Sequence, residues 1–249
     1  MIMPKSQGRR CLFHVPLAID PRGAVGSRLR PLHMREGFQE LGYQVDTIWG
    51  NAAERKRRFQ TVKRRIESGI HYEFAYSETS TMPTLLTERH HLPANPFVDY
   101  AFFRVCHGNR IPLGLFYRDV YWQFDLYRRK LGWYKRLVTI PLYHLDLYAY
   151  RQSVDILFLP SLQMLKHVRH WPRTKAVHEL PPGGVLFDKG SEGPGHPELR
   201  LLYVGAISPP IYDIDNLLEG VYKAVQADSK IQLTVCCPEA DWHKPVSYT

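Results

Sequence analysis

The sequence predicts an α/β chain: a Rossmann-like parallel sheet over residues 1–180, a linker over 181–198, and the incomplete start of a second Rossmann-like domain over 199–249. Three observations predict it. Short apolar runs alternate with helical periods along the first part of the chain, the pattern of a parallel sheet covered on both faces. From Pro181 to Pro197 the composition shifts to Pro, Gly, Ser and acidic residues, as linkers do. Beyond it, residues 199–204, Gly205, 214–226 and 231–235 read as strand, loop, amphipathic helix and strand, repeating the order with which the chain opens. A length of 249 residues holds one whole domain and part of another, at roughly 100–200 residues per domain.

Residues 12–19 read as a buried first strand, and Asp20-Pro-Arg-Gly-Ala-Val-Gly26 as a turn whose glycines reach backbone conformations that other residues avoid. Ser27 is expected to cap the next helix, with Pro31 in its first turn, where a missing N–H has no intrahelical partner to lose. Met34, Phe38 and Leu41 give that helix an apolar stripe, Gly42 ends it, and residues 43–49 form the second strand. A basic helix at 52–67, a strand at 74–76, a helix from Pro96 toward Val105 and a strand at 111–116 continue the alternation. The helical stretch 122–150 contains Pro141 and is expected to break or kink there. A strand at 156–159, a helix capped by Ser161 and a short strand at 176–180 complete the first domain.

Thirty-three Lys and Arg against twenty-four Asp and Glu give a formal charge of +9, which favours anionic partners such as phosphates, nucleic acid or acidic lipid without choosing among them. No nucleic-acid-binding motif is present, and nucleic acid is not the expected partner. Cys11, Cys106, Cys236 and Cys237 lack C-x-x-C spacing and suit neither a disulfide framework nor a zinc knuckle, so a reducing cytoplasm is the simplest reading. No run reaches the roughly 18–20 apolar residues of a membrane span. The apolar run after the basic start is interrupted by His14 and Pro16, unlike a signal peptide. The expectation is a cytoplasmic protein, soluble or peripheral at the inner face of the membrane. Neither "RGAVGSRLR" nor "GAISPPIYD" spells G-x-G-x-x-G, which disfavours a dinucleotide-dependent oxidoreductase.

The Gly-containing first loop with its helix, "LGYQVDTIWG" at 41–50, "VDILFLPS" at 154–161, "ELPPGGV" at 179–185 and "LRLLYVGAI" at 199–207 together resemble the family 4 glycosyltransferases, retaining enzymes of GT-B architecture. The resemblance spans nearly the whole chain through short motifs. It implies transfer of a sugar from a nucleotide-diphosphate donor to a hydroxyl acceptor, glycan or lipid-linked, in polysaccharide or glycolipid assembly. It also implies chemistry without a metal or other cofactor, in which helix N-termini and cationic side chains neutralise the leaving diphosphate. The family's donor loop carries an Arg after its glycine and a Lys shortly beyond; here Gly205 is followed by Ala206 and by Ser208-Pro-Pro-Ile-Tyr-Asp213. The family's paired glutamates would fall beyond Thr249, so the resemblance implies an acceptor half with only the start of a donor half.

Candidate residues follow from position. Gly23, Gly26, Ser27 and Arg28 sit past the first strand, where open α/β sheets take ligands, and are candidates for substrate binding; a plain connecting turn is the other reading. Arg118 and Asp119 lie just past the strand at 111–116 and are candidate catalytic residues, or else a structural ion pair. The resemblance implies that an acidic residue here touches the sugar, with Arg118 standing where the family commonly has a histidine. Glu78 either accepts from a substrate hydroxyl or caps a nearby helix, and Gly205 belongs to the implied donor loop. Glu88, His90 and His91 are metal-type residues, but neighbouring histidines point to different sides of any regular element. The run Arg55, Lys56, Arg57, Arg58, Lys63, Arg64 and Arg65, interleaved with Phe59 and Val62, reads as a solvated helix face or as an interfacial helix on an anionic membrane. In a second functional class the chain is a non-catalytic basic module docking on anionic membrane or nucleic acid.

Overall fold

Strand β1, Arg10–His14, is closed to solvent from Cys11 onward, as a central parallel strand must be when helices cover both faces of its sheet. It is flanked by β2 (Gln44–Ile48) and β3 (Phe74–Glu78), and the sheet continues through β4 (Leu113–Phe116), β5 (Ile156–Leu159) and β6 (Ala176–Glu179). The order is β2-β1-β3-β4-β5-β6, and every neighbouring pair is parallel. The chain is thus α/β with a six-stranded, Rossmann-like parallel sheet, as its alternating pattern predicts. It builds first to one side of β1 and then to the other, so the topological switch point lies between β1 and β3.

The computed structural model describes residues 8–19, 26–183, 199–207, 212, 214–227 and 230–242, in two compact units, Met1–Gly184 and Val185–Thr249. Five helices belong to the described part of the first unit: α1 (Gly26–Glu40), α2 (Ala52–Glu67), α3 (Val98–Gly108), α4 (Asp125–Lys130) and α5 (Trp133–Ser153). Met34 and Phe38 of α1 pack on Phe13, Val15, Tyr76 and Phe116. The opposite core joins Leu12, Ala75, Leu113, Leu115 and Leu157 to Phe59 and Val62 of α2, Phe102, Phe103 and Cys106 of α3, and Tyr143, Leu147 and Tyr150 of α5. Strand alternation produces this division, since residues one apart in a strand face opposite sides.

Local signals explain the element ends. A capping box starts α2: Glu54 N–H donates to Asn51 Oδ1 at 3.0 Å and Asn51 N–H to Glu54 Oε2 at 2.9 Å. Helix α1 begins at Gly26, so Ser27 lies inside it rather than at its cap, and Pro31 is its sixth residue rather than part of the first turn. β1 ends at His14, sooner than the apolar run predicts, because Pro16 has no N–H to extend the ladder. The break expected at Pro141 is absent: α5 runs through it, and the interruption falls at Leu131–Gly132 between α4 and α5. Pro141 lies on an exposed face, where water can satisfy the carbonyl that its missing N–H leaves unbonded. Ser161 does cap, accepting from Gln163 N–H at 3.3 Å, but on a 3-10 turn, Leu162–His167, rather than an α-helix.

In the second unit β7 (Leu199–Val204) pairs in parallel with β8 (Ile231–Cys236), α6 (Ile214–Ala227) lies between them in sequence, and a short α7 (Glu239–Trp242) follows. All four cysteines are free, Cys11 and Cys106 being buried. No helix among the described residues is long and apolar enough to cross a membrane.

Candidate functional site

At the carboxyl end of β3, Tyr76 and Glu78 share one face of the sheet and Ser77 takes the other, so consecutive residues feed two separate polar clusters. The first is built on Glu78, whose side chain is fully buried. Its Oε1 accepts from Tyr76 Oη at 3.1 Å and its Oε2 from Arg118 Nη2 at 3.2 Å, while Arg30 Nε of α1 lies 3.4 Å from Oε1. The Arg30 guanidinium stacks on the Phe116 ring, 3.8 Å from its centroid, and Arg118 N–H donates to Thr79 Oγ1 at 3.0 Å. Two guanidinium groups thus converge on one carboxylate. Burial pushes the Glu78 carboxyl above its ordinary value, and Arg30 and Arg118 oppose that shift without cancelling it. The arginine side chains keep 17% and 16% of their exposure while Glu78 keeps none, so an approaching ligand meets cations first.

The second cluster crosses the switch point. His14 and Ser77 are register partners of β1 and β3, and Ser77 Oγ lies 2.8 Å from His14 Nδ1. His14 Nε2 lies 2.9 Å from Asp99 Oδ1 of α3. Asp99 in turn receives Arg55 Nε at 2.9 Å and Nη2 at 3.2 Å, and Arg55 Nη1 reaches Gly50 O at 2.8 Å and Glu88 Oε1 at 3.3 Å. Burial holds His14 below its ordinary value, against the pull of Asp99. For Asp99 burial pushes upward, but hydrogen bonds and charge from His14 and Arg55 outweigh it and leave the carboxyl low. A neutral His14 beside an ionised Asp99 must carry its proton on Nε2, so Nδ1 accepts from the Ser77 hydroxyl.

That chain has the connectivity of a Ser–His–Asp relay. It does not have the exposure: Ser77 and His14 are 0% accessible, and Asp99 is shared with an arginine. A nucleophile must reach its substrate, so the cluster acts as a clamp joining β1, β3, α2 and α3.

Of the residues singled out from sequence, Glu78 and Arg118 are brought together. Glu78 caps no helix; its oxygens are taken by Tyr76 and the two arginines. Asp119 is partly exposed, and its Oδ1 accepts from Tyr121 N–H at 3.2 Å, closing the 3-10 turn Tyr121–Gln123. Gly26 opens α1; Gly23 and the side chains of Ser27 and Arg28 lie outside the described residues. Gly205, in the second unit, donates its N–H to Cys236 O at 3.0 Å, extending the β7–β8 ladder. Glu88 accepts from Ala52 N–H at 2.7 Å, His91 Nδ1 lies 3.3 Å from Leu86 O, and His90 Nδ1 accepts from Leu92 N–H at 3.1 Å, each bond local to its loop or to the start of α2.

The basic run of α2 needs correction. Arg55 belongs to the buried clamp, and Phe59 and Val62 face the core, so they form no insertable face. Arg65 pairs with Asp46 and Arg58 donates to Thr47 Oγ1, leaving Lys56, Arg57, Lys63 and Arg64 as its exposed cations. Sequence reasoning missed Arg30, His14 and Asp99. The available signal was a histidine inside a buried strand and an arginine one turn into the helix after it.

No model of a known protein family matches the chain, and no curated protein matches it.

Proposed function

We propose that the chain serves sugar transfer, supplying the acceptor-side lobe and the start of the donor lobe of a GT-B glycosyltransferase that moves a sugar from a nucleotide diphosphate to a hydroxyl group of a glycan or glycolipid. The observation that carries the reading is the pair Arg30 and Arg118 held on Glu78 at the carboxyl edge beside the switch point, the place where open parallel sheets take ligands. Two guanidinium groups meet at this carboxylate, and both keep part of their surface open. Such a pair suits a ligand carrying phosphate, and it can offset charge that builds on a leaving diphosphate. Glu78 positions the pair rather than touching substrate. In this reading cationic side chains and helix N-termini, not a metal, meet the diphosphate.

The parallel β-α-β start of the second unit supports the same reading, since its topology is that of a nucleotide-binding lobe. The test is a panel of nucleotide-diphosphate sugars and their parent nucleotides, alongside NAD-type dinucleotides, titrated into the purified chain. Thermal shift reads binding, and release or transfer of sugar reads turnover. One class of nucleotide sugar is expected to stabilise the protein, and Arg118→Ala to abolish that stabilisation. Stabilisation by a dinucleotide alone, or by no member of the panel, overturns the reading.

A further inference from the structure

Helix α5 is apolar on two opposite sides. Tyr143, Leu147 and Tyr150 face the core, and from them Trp133, Leu137, Pro141, Leu145 and Tyr148 recur at the spacing of the other side. That second side is open: Trp133 is 69%, Leu137 67% and Val138 57% exposed. Apart from the exposed His144 beside Pro141 and Tyr148, the stripe is apolar, and an apolar stripe on a solvent-facing helix marks a surface that meets another phase or molecule.

Its charge says which. Between Asp125 and Asp146 the sequence holds five cations, Arg128, Arg129, Lys130, Lys135 and Arg136, and no Asp or Glu. Arg128, Arg129 and Lys130 are exposed at the end of α4, immediately before the stripe begins, with Arg128 Nη1 3.4 Å from the exposed Asp125 Oδ1. Trp133 and Tyr134, with apolar rings and polar edges, stand at the boundary between them. Arg136 lines an open hollow with Trp133, Leu137, Ile140 and Pro141, and its buried Nε has no hydrogen-bond partner among the described residues. A guanidinium above an apolar wall matches a phosphate ester above an acyl chain.

We propose that the exposed side of α5, with the α4 cations at its head, seats this protein in the plane of an anionic phospholipid bilayer. The inference is independent of the sugar-transfer reading. No helix among the described residues is long and apolar enough to span, and an amphipathic helix with cations and Trp at its margin binds at the interface instead. Helix α2, though richer in charge, offers no apolar face, because Phe59 and Val62 are buried.

The test is flotation of the full chain with vesicles of phosphatidylglycerol and phosphatidylcholine, and with phosphatidylcholine alone. Binding is expected only with phosphatidylglycerol and is expected to weaken with salt. Leu137→Glu with Val138→Glu should lower partitioning at least about tenfold, and Arg128→Glu, Arg129→Glu and Lys130→Glu together about a hundredfold. Both sets are solvent-exposed, so circular dichroism should be unchanged. In the unaltered protein, bromine-labelled lipid should quench tryptophan fluorescence, a readout that needs no variant. Equal binding to both vesicle types, no binding, or loss of binding only in Lys56→Glu/Arg57→Glu/Arg64→Glu overturns the proposal. So does a concentration-dependent dimer that the α5 variants dissolve without any vesicle binding.

Discussion

Ser77 and Glu78 are neighbours in β3, yet Ser77 Oγ meets His14 Nδ1 at 2.8 Å on one face of the sheet while Glu78 Oε2 meets Arg118 Nη2 at 3.2 Å on the other. The strand's twofold alternation separates the two systems, and each can be perturbed without touching the other.

The clamp reading predicts unequal costs within one hydrogen-bonded chain. Asp99→Ala strands Arg55 and His14 in a dry site and should cost about 3–5 kcal/mol. Ser77→Ala removes one neutral hydrogen bond and should cost about 1 kcal/mol. Urea denaturation measures both. A Ser77→Ala protein of normal stability that loses all turnover would mean the serine is a nucleophile after all.

Burial outweighs Arg30 and Arg118 at Glu78, so folding favours its protonated form. The stability gap between the wild type and Glu78→Gln should therefore move against the wild type as pH rises past the ordinary carboxylate value of 4.5, as urea denaturation at each pH measures. A gap that moves in favour of the wild type over that range would show that the two arginines outweigh burial.

Asp146 predicts a pH dependence. It is buried, accepting from Tyr100 Oη at 2.5 Å and Thr84 N–H at 2.9 Å, and burial pushes its carboxyl from the ordinary 3.8 up to about 6. The folded state binds this proton more tightly than the unfolded chain. Its contribution is therefore fully present below pH 3.8 and lost as pH rises through about 6, a difference of about 3 kcal/mol. The stability gap between the wild type and Asp146→Asn should shift by about 2 kcal/mol from about pH 4 to about pH 7, against the wild type at the higher pH. A gap that does not vary with pH would show that Asp146 stays ionised.

Gly50 predicts a backbone effect. Its φ is +113°, and a Cβ there would clash with Glu54 Oε2 and lie 2.9 Å from Glu54 Cβ. Gly50→Ala thus combines a disfavoured conformation with loss of the α2 capping box, together about 2–3 kcal/mol. Gly50→Ala in a Glu54→Ala background should cost less, and denaturation of the four combinations measures the coupling.

The alternation that predicts a parallel sheet is a local property, and the elements with strong local signals have the bounds their patterns predict. Helix α2, bounded by its caps, β5, an unbroken apolar run, and β7, apolar but for Arg200, coincide with the sequence reading. The helix at Pro141 does not, because the cost of a proline depends on whether water can reach the carbonyl it leaves unbonded, and that depends on which side of α5 faces out. The charge run on α2 likewise reads as one surface until packing turns Arg55 inward against Asp99.

The sequence alone determined that strands and helices alternate, that the sheet is parallel, and that polar residues lie past the ends of its strands. Tertiary structure alone decided which of them meet: Arg118 reaches Glu78 across 40 residues of chain and His14 reaches Asp99 across 85. Hydrophobic periodicity acts over a few residues and survives in a linear reading. Charge pairing depends on which strand ends become neighbours, and that follows from the order β2-β1-β3-β4, set only when the sheet assembles.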